Sequence, residues 1–122
     1  MKTLVIIGLG GALGSIGRYL VQIAVGRYIT VTFPLGTLIV NITGCFLIGL
    51  LYGLAERHAW MTMEWRLFLI TGICGGYTTF SSYSYEGISL LRDGSYSYFF
   101  LYIASSVILG LLATFGGMLA VR

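Results

Sequence analysis

The chain has 122 residues, of which 57% are hydrophobic and 9% charged; its net charge is +3 at pH 7 and its mean hydropathy +0.93. Soluble domains carry about 25% charged residues, so a water-facing globule is excluded, and disorder more firmly still. The positive charge sits on scattered single residues rather than in a patch, which excludes a nucleic-acid partner. An integral membrane protein of one transmembrane domain, residues 1–122, remains.

Residues 28–55, 67–85 and 94–121 contain no charge, and residues 3–25 contain only Arg18. A spanning helix needs about 20 mostly apolar residues. The fold class is therefore an all-α membrane protein with four transmembrane helices, near 3–25, 35–55, 66–91 and 97–121.

Lys2 before an apolar run imitates a secretory leader, but the run is too long and lacks a cleavage site. The first helix carries Gly8, Gly10, Gly11, Gly14 and Gly17. Its Gly-Leu-Gly step looks like a dinucleotide-binding turn, yet that motif needs an acid about 20 positions on, and the first acid is Glu56. Gly10 and Gly14, with Gly11 and Ser15 beside them, instead form a face for close helix approach. Arg18 either snorkels to the headgroups or lines a wet vestibule that attracts anions. The polar stretch Gly26–Pro34 follows, with Pro34 where a helix can start.

The second helix places Asn41 near its middle, Thr37 one turn before and Gly44 and Cys45 one turn after. A carboxamide at that depth needs partners: it bonds another helix, or it donates its NH₂ to an anion. Cys45 and Cys74 have no ligand-spaced partners and read as small buried hydrophobes. His58, in the connection Glu56–Glu64, receives no role.

The third helix contains residues 71–86, TGICGGYTTFSSYSYE. Paired glycines followed by threonines are poor helix formers, and a break is expected near 75–79. Unwound backbone at membrane depth must be buried or line a cavity. Its carbonyls can hold a cation, and the next helix start offers N–H groups. Phe80 and Tyr83 follow on one face. The plainer alternative is a kinked helix with serines bonded to their own carbonyls. A turn is expected at Arg92–Ser95. In the fourth helix Tyr98, Tyr102, Ser106 and Gly110 form a hydroxyl stripe.

Four spans put both termini on one side, with Lys2, Arg57, Arg66 and Arg122. Arg27 and Arg92 lie on the other, which Arg18 approaches. Lys/Arg bias orients a membrane protein. So small a bias fits one weakly favoured orientation, or insertion both ways up and an antiparallel dimer.

Three stretches resemble one family: residues 10–19 (GGALGSIGRY), residues 36–46 (GTLIVNITGCF) and, most specifically, residues 75–86 (GGYTTFSSYSYE). The family is the Fluc, or CrcB, fluoride channels, and the likeness covers nearly the whole chain. It implies a bacterial inner-membrane channel that exports fluoride passively and lowers its cytoplasmic level. It implies an antiparallel, dual-topology homodimer with two pores. It also implies a structural sodium ion (Na+) at the dimer centre, on the main-chain carbonyls of Gly75 and Thr78. Asn41 matches the pore asparagine, and Phe80 and Tyr83 fall on the two phenylalanines of the anion path. Thr79, Ser82, Tyr102 and, more loosely, Ser106 fall on its polar track, and Arg18 matches the vestibule arginine. Tyr83 departs from the usual Phe by an added hydroxyl.

The residues suit that chemistry. Fluoride is strongly hydrated, and a pore must replace its water with donors weak enough to let it leave. Neutral hydroxyls, a carboxamide and aromatic edges do this. A small four-helix proton-coupled multidrug transporter is the main rival. It needs an intramembrane acid, usually in the first helix, and the only membrane-depth acid here is Glu86. A non-conducting assembly subunit leaves the hydroxyl stripes without a purpose. No nucleophile–base pair is present, so the protein is not read as an enzyme.

Overall fold

The computed structural model describes residues 1–121, and its regular elements are all helical. Arg122, counted in the charge balance above, lies outside the described residues. Three uninterrupted helices, α1 (Lys2–Tyr28), α2 (Leu35–Arg57) and α6 (Tyr96–Ala120), are long and apolar enough to cross a bilayer. Between α2 and α6 lies a fourth, broken helical segment, assembled from α3 (Met63–Arg66), the π-helix π1 (Leu67–Cys74), α4 (Gly75–Tyr77) and α5 (Phe80–Arg92).

Between α4 and α5 the chain is extended at Thr78 (φ −80°, ψ 154°) and Thr79 (φ −146°, ψ 122°). The break expected near 75–79 thus falls on the two threonines just after the glycine pair. The eight π-helical residues were not expected. An i→i+5 ladder uses the same backbone groups as an α-helix, so side-chain periodicity does not announce it.

Helix ends follow local chemistry. Pro34 directly precedes α2. After α5, Ser95 N–H bonds Leu90 O at 2.9 Å and Gly94 N–H bonds Leu91 O at 3.2 Å, the paired closure of a Schellman motif. Gly94 supplies the left-handed residue, with φ +78°. Arg66 Nη2 donates to the Ala55 carbonyl at the end of α2 over 3.2 Å. Rings of His58, Trp60, Trp65 and Phe68 follow one another around the connection between α2 and π1, as in the aromatic belts of membrane interfaces.

Two helix pairs build the body: α1 along π1 and α4, and α2 along α6. Both pairs meet through glycine. A side chain at Gly10 would strike the backbone of Phe68 and Gly72, one at Gly14 that of Ile73 and Tyr77, and one at Gly76 that of Gly11. In the second pair Gly49 meets the backbone at Thr114, and Gly117 meets it at Phe46 and Leu50. Lipid offers no hydrophobic drive between helices, so backbone-to-backbone packing carries the association. The expected Gly10–Gly14 face is the one α1 uses. Cys74 is fully buried beside Leu51, Ala55, Met61 and Ile70, and both cysteines are free thiols.

Candidate functional site

The two half-helices α4 and α5 end and begin against α2, and Asn41 of α2 bridges them. Its Nδ2 donates to the Thr79 carbonyl (3.0 Å) and its Oδ1 accepts from the Thr79 N–H (2.9 Å). The carboxamide thus pairs with backbone at the break, the first of the two uses the sequence left open for it. One of its two amide hydrogens remains for another acceptor.

The other backbone groups at the break can be followed one by one. The Cys74 carbonyl accepts from the Thr78 N–H (2.9 Å) and the Thr78 hydroxyl (3.0 Å). The Gly76 carbonyl accepts from Arg18 Nε (3.1 Å). The Thr79 hydroxyl caps α5 by accepting from the Ser82 N–H (3.1 Å). In a continuous helix the Thr79 and Ser82 N–H groups would close on the Gly75 and Thr78 carbonyls. Both are turned elsewhere, so those two carbonyls are released from the ladder, as is that of Tyr77, whose helical partner would be the Ser81 N–H at the start of α5. Gly75 is exposed on the surface of the single chain.

A cavity of about 360 Å³ opens beside the break, lined by Asn41, Cys45, Ile48, Thr78, Thr79, Phe80, Tyr83, Ser106 and Val107. Phe80 and Tyr83 stand together with ring centroids 5.7 Å apart. The Tyr83 ring continues to Tyr102 at 5.2 Å. Tyr102 is fully buried, and neither its hydroxyl nor that of Ser106 has a hydrogen-bond partner among the described residues. The extra hydroxyl of Tyr83 points to the Ile103 carbonyl in a long 3.5 Å contact.

The family model described as "CrcB-like protein, Camphor Resistance (CrcB)" matches residues 5–118. The chain is 48% identical over 122 residues to a protein of Flavobacterium psychrophilum named "Fluoride-specific ion channel FluC", covering 100% of this chain and 98% of that one. It is 47% identical to the protein of the same name from Chlorobium luteolum, over 98% of this chain and 92% of the relative. A third relative so named, from Phocaeicola vulgatus, is 48% identical over 97% of both chains.

The chain belongs to the CrcB family.

In this CrcB protein the fold gathers Asn41, Thr79, Phe80, Tyr83 and Ser106 around one cavity, with Tyr102 packed behind Tyr83. Ser82 lies apart. It lines a second cavity of about 350 Å³ with Gln22, Thr37, Ser81, Tyr85 and Glu86. Arg18 lines neither. Of the serines and threonines around the break, Thr78 bonds back to its own helix, as does Ser89 further along. Ser81 faces the Thr79 hydroxyl instead, at 3.2 Å.

Sequence reasoning missed one polar chain. Gln22 Nε2 donates to the Thr37 hydroxyl (3.1 Å), and that hydroxyl donates to Glu86 Oε1. Thr37 is fully buried, and a side chain at Gly36 would collide with Gln22. Three polar groups on three separate helices were the available signal, since each needs a partner in an apolar medium.

Proposed function

We propose that this CrcB-family protein is a fluoride-selective channel that releases fluoride passively from the cytoplasm of a bacterium and lowers its internal concentration. One observation carries the reading: the break at Thr78–Thr79, stitched by Asn41, opens on a cavity lined by neutral donors and two adjacent rings. The names printed for the relatives agree with it. The chain then acts as a channel and not as an enzyme.

Its residues divide the work. The spare amide hydrogen of Asn41 and the hydroxyls of Thr79, Ser106 and Tyr102 replace water around a small anion. The unpartnered Tyr102 and Ser106 hydroxyls have hydrogen-bonding capacity that the protein itself does not use, and buried polar groups ordinarily find partners. Phe80 and Tyr83 offer electropositive edges that face an anion without trapping it. The Phe80 and Ser81 N–H groups at the start of α5 lie at the positive end of a helix dipole. Ser82 extends the track into the second cavity, and Arg18 supplies positive charge nearby.

The working unit is an antiparallel, dual-topology homodimer with two pores. Phe80 is 77% exposed on the single chain, and Gly75, on the other side of the break, is exposed as well. Both would be covered by a second copy. The Gly75 and Thr78 carbonyls fit a hard cation, which takes oxygen ligands; among the described residues no cluster of His, Cys, Asp or Glu competes for one. Sodium bound there supplies charge that ties the two broken helices together. Helical spans rather than a barrel support the bacterial inner membrane as the location.

Efflux from liposomes tests the function. Purified protein should release fluoride fast and chloride barely at all, with no pH gradient imposed. Equal chloride release, or no release of either, overturns the reading. Fluoride release that requires a proton gradient would point to a coupled transporter.

A further inference from the structure

We infer that Arg18 is a positioning residue for the cation site at the helix break, acting through its Nε–H on the Gly76 carbonyl. The inference rests on the proposed sodium site at Gly75 and Thr78.

The contact itself is specific. Arg18 reaches from α1 to the last turn before the break and donates from Nε, at 3.1 Å, to the one carbonyl that lies between Gly75 and Tyr77. Hydrogen bonds from a charged donor are the strong ones. The reach is fixed by the packing beneath it. Gly11 and Gly76 are in backbone contact, and Gly14 meets the backbone of Ile73 and Tyr77, so α1 cannot shift along the turn.

The consequence is a division of carbonyls. Those of Cys74, Gly76 and Thr79 are tied down by Thr78, Arg18 and Asn41 respectively. Those of Gly75, Tyr77 and Thr78 have no such tie, and Gly75 and Thr78 are the pair proposed to hold the cation. Glycine is conformationally permissive, so the Gly75–Gly76 pair would hold its helical setting weakly by itself. Arg18 holds that setting through the Gly76 carbonyl. Arg18 lies outside the lining of both cavities beside the break, and its Nε–H is engaged by the backbone at Gly76. Its charge is no help to a neighbouring cation, so the hydrogen bond and the charge should separate in experiment.

The use of Nε makes the separation possible. A glutamine places its amide nitrogen the same number of bonds from the backbone as Arg Nε, so Arg18→Gln keeps a donor there and removes the charge. Arg18→Met puts a methyl carbon at that position and removes both. The full-length protein is melted in detergent across a sodium titration, with N-methylglucamine replacing sodium at constant ionic strength. The parent should gain stability with sodium. Arg18→Met should need at least about tenfold more sodium for the half-maximal gain, the weight of one charge-assisted hydrogen bond. Arg18→Gln should keep the parent midpoint or lower it. An unchanged midpoint in Arg18→Met overturns the clamp, and so does an Arg18→Gln midpoint raised like that of Arg18→Met. If Arg18→Met does not fold, Arg18→Gln decides alone: a parent-like midpoint supports the clamp, and a raised one overturns it. A parent indifferent to sodium overturns the cation site, and the clamp with it.

Discussion

Phe80 separates a pore from a packed core at the level of single residues. It is largely exposed on one chain yet sits 5.7 Å from Tyr83 over the cavity. Phe80→Ile keeps bulk and apolarity but removes the electropositive edge. Fluoride flux should fall by about tenfold or more, the kinetic weight of roughly 1.4 kcal/mol, with an unchanged size-exclusion profile. Parent-like flux at normal elution would show that the ring only packs. Tyr83→Phe should remain active, because the lost hydroxyl makes only a long contact with Ile103. Asn41→Asp should abolish flux. The acid still accepts from the Thr79 N–H, but it sets a negative oxygen against the Thr79 carbonyl and beside the proposed anion path. Liposome efflux of each variant checks these outcomes. The importance of Asn41 was legible in the sequence, because a carboxamide in an apolar run demands a partner. Its partner was not: a bond to backbone 38 residues away leaves no trace in spacing.

The elements were legible where propensity and period agree. The three continuous helices and the turn at Gly94 follow from charge-free runs, Pro34 and a glycine. The break was expected from Gly75, Gly76 and the two threonines, and it lies at the threonines. The π winding of Leu67–Cys74 was not legible, because it alters the hydrogen-bond ladder without altering which side chains are apolar. Glycine tests the packing model for these helices. Gly14 meets the backbone of Ile73, whereas nothing lies within 4 Å of a side chain built on Gly8. Gly14→Ala must push α1 off π1 and should destabilise by about 1–3 kcal/mol. Gly8→Ala, on the same helix, should be neutral or slightly stabilising, since alanine is the better helix former. Thermal melting of both in detergent is the measurement, and equal effects would refute backbone-to-backbone packing of α1.

Charge decides orientation at the level of the whole molecule. Lys2 pairs with Glu64 at 3.4 Å, and Arg66 caps α2 at Ala55, so Lys2, Arg57 and Arg66 share one end. The loop at 31–34 and Asp93 border one cavity at the other end, where Arg92 and Arg27 belong. The difference between the ends is small, and such a chain can insert both ways. The single chain leaves its cavity open beside an exposed Phe80; in the proposed homodimer a two-fold arrangement encloses the path with the same surface from each copy. If the copies are antiparallel, adding two lysines after Met1 should drive every chain into one orientation and reduce fluoride resistance of a sensitive host to background. Placing two lysines in the loop at 29–33 should bias insertion the other way and be inactive for the same reason. Expressed together, the two biased forms should restore resistance, because each supplies the orientation the other lacks. Growth in fluoride, with membrane amounts of each form measured in parallel, reads the result. Full resistance from either biased form alone, at parent-like abundance and confirmed single orientation, would mean that parallel copies suffice and that the antiparallel dimer is wrong.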